Sequence, residues 1–289
     1  MKSYKIITRR QIMAVMAAFA VLTLALITIL GSPGGEQLAA ANKKLPIYAV
    51  NRAEDDKIIS ISFDATWGND QTQELIDIMA KYDVKSTFFL VARWVDQFPE
   101  SVRAIIDGGH ELGNHSTTHP HMSKQSKEQM RNEIRTCNDH IEAATGTRPI
   151  LFRAPYGEYC NELIDVIDEE SMYCIQWDVD SIDWKEISAE EMIERVCGKV
   201  VPGSIVLFHN GGENTSQALP VIIERLQAQG YRFVPISENI CREDFTLDHA
   251  GRQTPVNPPA VQIPAAGPEP NPEPGIMNLM DQLAARFKK

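Results

Sequence analysis

The sequence predicts an α/β fold: an irregular (β/α) barrel of about seven parallel strands, preceded by one transmembrane helix. Three observations carry this. From Lys57 to Val234, short apolar runs alternate with amphipathic stretches of helical period, the pattern of parallel strands joined by crossover helices. No G-x-G-x-x-G motif is present, which favours a barrel over an open dinucleotide-binding sheet. A charge-free run from Ile12 to Leu30 stands ahead of the first strand, behind Lys2, Lys5, Arg9 and Arg10.

That run is long enough as a helix, about 28 Å, to cross a bilayer. Its basic flank places residues 1–10 in the cytoplasm, 11–31 in the membrane as a signal anchor and the rest of the chain outside. Leu38 to Ala41 offers a small-residue cleavage site, so secretion after cleavage is the alternative. Residues 32–56 read as a Gly/Ala-rich stalk.

The folded domain is expected over 57–241. Lys57–Asp64 alternates as a strand, with Ile59, Ile61 and Phe63 on one side and Ser60 and Ser62 on the other. Asp70–Tyr82 carries Leu75, Ile76, Met79 and Tyr82 on one helical face. Strands follow at 86–91, 111–114, 150–153, 173–177, 204–209 and 232–234. Helices are expected at 99–107, 123–145, 161–170, 189–200 and 216–229. Residues 242–275 read as a linker, Pro-rich from Thr254, and 276–289 as a short amphipathic tail.

Composition narrows the function. A formal net charge of −11 over 289 residues disfavours nucleic acid, whose binding rests on Lys/Arg–phosphate contacts; it is compatible with a neutral glycan, which needs no charge steering, without selecting for one. The five cysteines form no CxxC pair and read as buried structural thiols. The polar candidates Asp64, Asn114–His115, Arg153, Asp178–Asp183 and His209 all stand at the C-terminal ends of strands, where βα barrels build active sites.

Each candidate has a plain alternative reading. His115 and His119, four apart ahead of Pro120, read equally as a metal pair or as loop histidines. Asp64 could cap a turn. Arg153-Ala-Pro-Tyr156-Gly157 could be a surface turn, and His209 a satisfied core residue. Asp180-Ser-Ile-Asp183-Trp184 sets two acids beside a large aromatic.

Taken in order, these five segments resemble the signature of the carbohydrate esterase family 4 polysaccharide deacetylases, the NodB-homology fold, over about 185 residues. The opening Phe63-Asp64-Ala65-Thr66-Trp67-Gly68 is most similar to that of the sporulation-type peptidoglycan deacetylases. The resemblance implies that Asp64 is the base that deprotonates water, and that Arg153 pairs with it. His115 and His119 hold a divalent metal, zinc first. The Tyr156 N–H binds the oxyanion. Asp183 orients His209, which protonates the departing amine. Trp184 walls the pocket, and Leu207 lines the space for the acetyl methyl.

The implied activity is hydrolysis of N-acetyl groups on a cell-wall glycan, from N-acetylglucosamine or N-acetylmuramic acid. The alternatives are a glycan-binding module or a structural protein on the same fold. One departure stands out. The family motif carries two consecutive aspartates, the second a metal ligand, and here the second is Ala65. Weaker metal binding with more water ligands, replacement by a nearby acid such as Asp70, and a metal-free or inactive site are the open consequences.

Overall fold

The computed structural model describes residues 43–256, together with helical positions Met13, Met16, Ala18, Phe19, Val21, Leu22 and Thr23. The expected span at 11–31 therefore lies largely outside the described residues, as do the tail at 276–289 and most of the Pro-rich linker. Among the described residues no helix is long and apolar enough to cross a membrane.

Seven parallel strands form a half-barrel. In chain order they are β2 (Ile58–Ala65), β3 (Thr87–Leu90), β4 (Glu111–Asn114), β5 (Leu151–Phe152), β6 (Tyr173–Cys174), β7 (Val179–Asp180) and β8 (Ile205–His209), behind a short β1 (Ala49–Val50). Their spatial order is β6-β5-β4-β3-β2-β8-β7, and β9 (Arg232–Phe233) pairs with the start of β2. The helices between them are α1 (Thr72–Lys81), α2 (Ala92–Gln97), α3 (Pro99–Asp107), α4 (Lys127–Thr145), α5 (Asn161–Glu169), α6 (Ala189–Cys197) and α7 (Thr215–Ala228), with α8 (Ile236–Asn239) after β9.

The sheet stays open between β6 and β7 for a reason legible in the chain. Parallel neighbours need a crossover of about a dozen residues or more. Only residues 175–178 separate β6 from β7, so the two stand at opposite ends of the sheet. The incoming chain lies across this seam: Ile47 bridges Ile175, and Ala49 bridges Ser204.

The expected alternation in β2 holds. Ile59, Ile61, Phe63 and Ala65 join the helix-facing core, where Phe63 stacks on Phe88 at 4.9 Å and on Phe208 at 5.6 Å. Ser60, Ser62 and Asp64 take the other face, as a period of two requires. The start of α4 differs from expectation. Residues 122–124 form a 3-10 turn, and the helix begins at a capping box made by Ser126 and Gln129. The short helix α2 was not anticipated; at six residues it is too brief to show a period, though Ala92, Trp94 and Val95 are buried.

The fold also continues beyond Cys241, where the sequence reads as linker. Strands β10 (Phe245–Leu247) and β11 (Arg252–Pro255) form a small sheet with β1, from the stretch read as stalk. At three and four residues, β10 and β11 are too short for periodicity to find, and β11 (Arg-Gln-Thr-Pro) has no apolar alternation. All five cysteines are unpaired, with Cys137 and Cys174 buried.

Gly203 fixes β1 against the half-barrel. Its φ is +85°, and a Cβ there would lie 1.8 Å from the Val50 carbonyl oxygen. Gly203→Ala should therefore lower stability in urea unfolding by about 2 kcal/mol or more; a loss below about 0.5 kcal/mol would show that this approach is not needed.

Candidate active site

Strand register assembles the site. Asp64 on β2 is the direct partner of His209 on β8, so two residues 145 positions apart share one layer of the sheet. Asn114 on β4 pairs with Phe152 on β5, which brings the following His115 and Arg153 into the same layer. These side chains open into a cleft of about 640 Å³, lined among others by Asp64, His115, His119, Tyr156, Asp183, Trp184, Leu207 and His209. The structure thus gathers the sequence candidates in one place, with Arg153 directly beneath.

Arg153 is fully buried; its two terminal nitrogens are paired, while Nε has no partner among the described residues. Nη1 donates to Asp64 Oδ1 at 2.8 Å; Nη2 donates to Ser62 Oγ at 2.9 Å and to the Gln176 carbonyl at 3.2 Å. The guanidinium sits 4.1 Å from the centre of the Phe89 ring. Burial works to raise the Asp64 pKa, but the Arg153 charge, with the charge of His209 and the Arg153 hydrogen bond, outweighs it and holds the carboxyl below its ordinary range.

The second dyad is built differently. Asp183, also buried, accepts His209 Nδ1 on Oδ1 at 2.7 Å. Its Oδ2 accepts the His209 backbone N–H at 2.7 Å and the Thr215 hydroxyl at 2.9 Å. Gly212 permits this closeness, since a Cβ there would lie 2.7 Å from Asp183 Oδ2. Burial lowers the His209 pKa, and the Asp183 hydrogen bond and charge reverse that, leaving it raised above 6.5. The two dyads are pushed in opposite directions: one group is kept ionised, the other kept protonated.

His115 Nδ1 lies 2.8 Å from the Arg153 carbonyl, an acceptor, so that nitrogen carries the proton. Its Nε2 lone pair then faces Asp64 Oδ2 at 3.5 Å. Burial pushes His115 below its usual pKa, and pushes His119 down to about 4. The two rings stand 5.0 Å apart. His119 has φ +59°, in agreement with the non-helical turn expected ahead of Pro120.

The donor set does not fit a three-ligand zinc site. Ala65 is wholly buried among the helix-facing core residues and is not part of the cleft lining. Asp70 is exposed and does not line the cleft. Among the described residues no group of three or more His, Cys, Asp or Glu is placed to hold a metal ion. Two imidazoles leave zinc short of its usual three protein ligands.

Other candidates prove structural. Asn114 donates to Asn138 and to the Ile134 carbonyl, tying β4 to α4. Asp178 holds Ser204, the Ile205 N–H and Arg252. Asp180 accepts the Ile182 N–H in a tight turn. Sequence reasoning missed Ser62, Gln176 and Thr215, which support the dyads, and Glu186 and Glu213 on the cleft wall. Thr215 opens α7, where a threonine ordinarily reads as a helix-start residue; no sequence signal distinguishes the two roles.

A family model for "Polysaccharide deacetylase" matches residues 51–174. The "Peptidoglycan-N-acetylglucosamine deacetylase" of Bacillus cereus is 33% identical over 193 residues, covering 65% of this chain and 70% of that protein. The "Uncharacterized protein YlxY" of Bacillus subtilis is 32% identical over 193 residues, or 67% of this chain and 60% of that protein. The crystal structure of wild-type BA3943, a "CE4 family pseudoenzyme from Bacillus Anthracis", superposes with a TM-score of 0.65 at 34% identity, covering 73% of each chain.

Removing one partner of the buried ion pair strands the other charge. Arg153→Ala should cost about 3–5 kcal/mol in denaturant unfolding at neutral pH, while Asp64→Asn, which keeps a hydrogen-bond acceptor for Arg153, should cost less. Equal losses would show that pairing is not what holds Arg153.

Proposed function

The chain belongs to the polysaccharide deacetylase family, and from that premise we propose that it hydrolyses N-acetyl groups on a peptidoglycan-type cell-wall glycan. The observation that carries this is the pair of oppositely tuned dyads, Asp64–Arg153 and His209–Asp183, facing one cleft in register. Named peptidoglycan deacetylases at about a third identity support it.

Water is a weak nucleophile and an amide a weak electrophile, so each needs help. Asp64 Oδ2 and His115 Nε2 are both acceptors and converge on one point. A water there donates to both, and Asp64 takes its proton as it attacks the acetyl carbon. The backbone N–H of Tyr156, at φ +60°, serves the developing oxyanion. The amine leaves only when protonated, and His209, held as imidazolium by Asp183, supplies that proton. Leu207 and Trp184 shape the pocket around the acetyl group. Asp64 must be ionised and His209 protonated at the same time.

A second reading, glycan binding without turnover, is favoured by one feature: Ala65 leaves the metal position without its carboxylate. The similarity to a pseudoenzyme structure points the same way. The acid–base pair favours hydrolysis, because binding alone does not need it. Membrane anchoring through 11–31, with the domain outside the cytoplasm, belongs to this proposal. So does the sporulation-type resemblance of Phe63–Gly68.

The purified protein should release acetate from a peptidoglycan glycan, and Asp64→Asn should abolish release. His209→Ala should lower it by about 10²–10⁴-fold. The pH profile should be bell-shaped, falling at the acid end as Asp64 protonates below its ordinary 3.8 and at the alkaline end as His209 deprotonates above 6.5. Asp183→Asn should move the alkaline limb to lower pH. Saturable glycan binding with no acetate release, with and without added divalent metal, would select the second reading.

A further inference from the structure

Between residues 43 and 256 the exposed aromatic side chains are Trp67, Tyr156 and Trp184, and all three line the one cleft. A solvated indole costs apolar exposure unless something flat covers it. The resemblance gives Trp184 and Tyr156 places in the reaction. Trp67 has none, yet it is 62% exposed, more than either of the others.

Trp67 does not stand alone. The Arg93 guanidinium, from the first turn of α2, lies over its ring at 4.3 Å. Stacking uses the flat face of the guanidinium and leaves its edge of N–H donors open. Among the described residues no carboxylate lies within ion-pair distance of Arg93; Arg103, Arg195, Arg232 and Arg242 share that lack, but Arg93 alone among them lies over an exposed cleft aromatic. A cation held over an exposed indole at the cleft, with no carboxylate partner, presents a sugar platform and an anion receptor together.

We propose that Trp67 and Arg93 form a specificity subsite for a carboxylate-bearing sugar, a muramic-acid type unit, within the bound glycan. The pyranose ring packs on the free part of the indole, and the sugar's carboxylate takes the outward edge of Arg93. The chain's net charge of −11 works against an acidic polymer, and a local cation at the cleft offsets that field where the sugar binds. Glu186 and Glu213 also line the cleft, so Arg93 is the group that an anion would have to find there. The inference rests on the glycan reading above and narrows its substrate to an acidic glycan over neutral chitin.

The test compares two probes on the full-length protein: neutral chitotetraose, and a peptide-free GlcNAc–MurNAc tetrasaccharide carrying its lactyl carboxylates. Binding is followed by calorimetry, with acetate release measured in the same samples. The acidic probe should bind more tightly, and salt should erode the difference. Arg93→Gln should weaken the acidic probe about ten-fold and leave chitotetraose unchanged, Arg93→Lys should recover part of the loss, and Trp67→Ala should weaken both. The subsite is overturned if Arg93→Gln weakens both probes equally or neither, or if the wild type does not bind the acidic probe. Acetate release separates the two ideas: binding selectivity without release rejects hydrolysis and keeps the subsite, while release with no dependence on Arg93 does the reverse.

Discussion

The structure turns on one buried ion pair. Arg153 and Asp64 lie at the centre of the half-barrel, where an unpaired charge would be severely penalised. Everything around them serves to make that burial tolerable. Ser62, one step back on the same face of β2, accepts from Arg153 and donates onward to the Val206 carbonyl, tying β2 to β8. Gln176 meets it from beyond β6, and Phe89 covers its flat face from β3. One cation therefore gathers strands from across the sheet, and the carboxylate it neutralises is the group best placed to take a proton from water.

The same economy explains how the site obtains two protonation states in one cleft. Asp64 and His209 are direct partners in a parallel ladder, close enough to interact. Left alone, burial would neutralise both. A cation behind the carboxylate and a carboxylate behind the imidazole restore the charge to each. The fully occupied Asp183, with the His209 ring and backbone on it and Thr215 behind, leaves that imidazole little freedom to turn.

The histidine pair is the contrasting half. His115 and His119 are positioned and desolvated as metal ligands would be, but the residue that could complete the set faces the core. Residue type decides this: an alanine stands where the family motif has its second aspartate, and a methyl group buried in the core cannot bind a cation. An alanine there packs well against Phe63 and its surroundings, and contributes nothing to a cation. The chemistry available from this chain's own side chains is therefore proton transfer, carried by the dyads.

Much of this was legible in the sequence. Period-two alternation in 57–64 and helical periodicity in the stretches between strands gave the parallel α/β fold, because burying one face imposes a repeat on residue types. Polar residues closing apolar strands located the site, and the chemistry of Asp64, His115, Arg153, Asp183 and His209 was implied by the resemblance of their segments, in order, to the deacetylase signature. The tertiary structure alone decided the rest. The seam between β6 and β7, the clamp of β1 with β10 and β11, and the roles of Ser62, Gln176 and Thr215 depend on contacts between distant segments, which leave no local period to read. The cation over Trp67 is of the same kind: two exposed residues 26 positions apart mean nothing in sequence until the fold brings them within 4.3 Å.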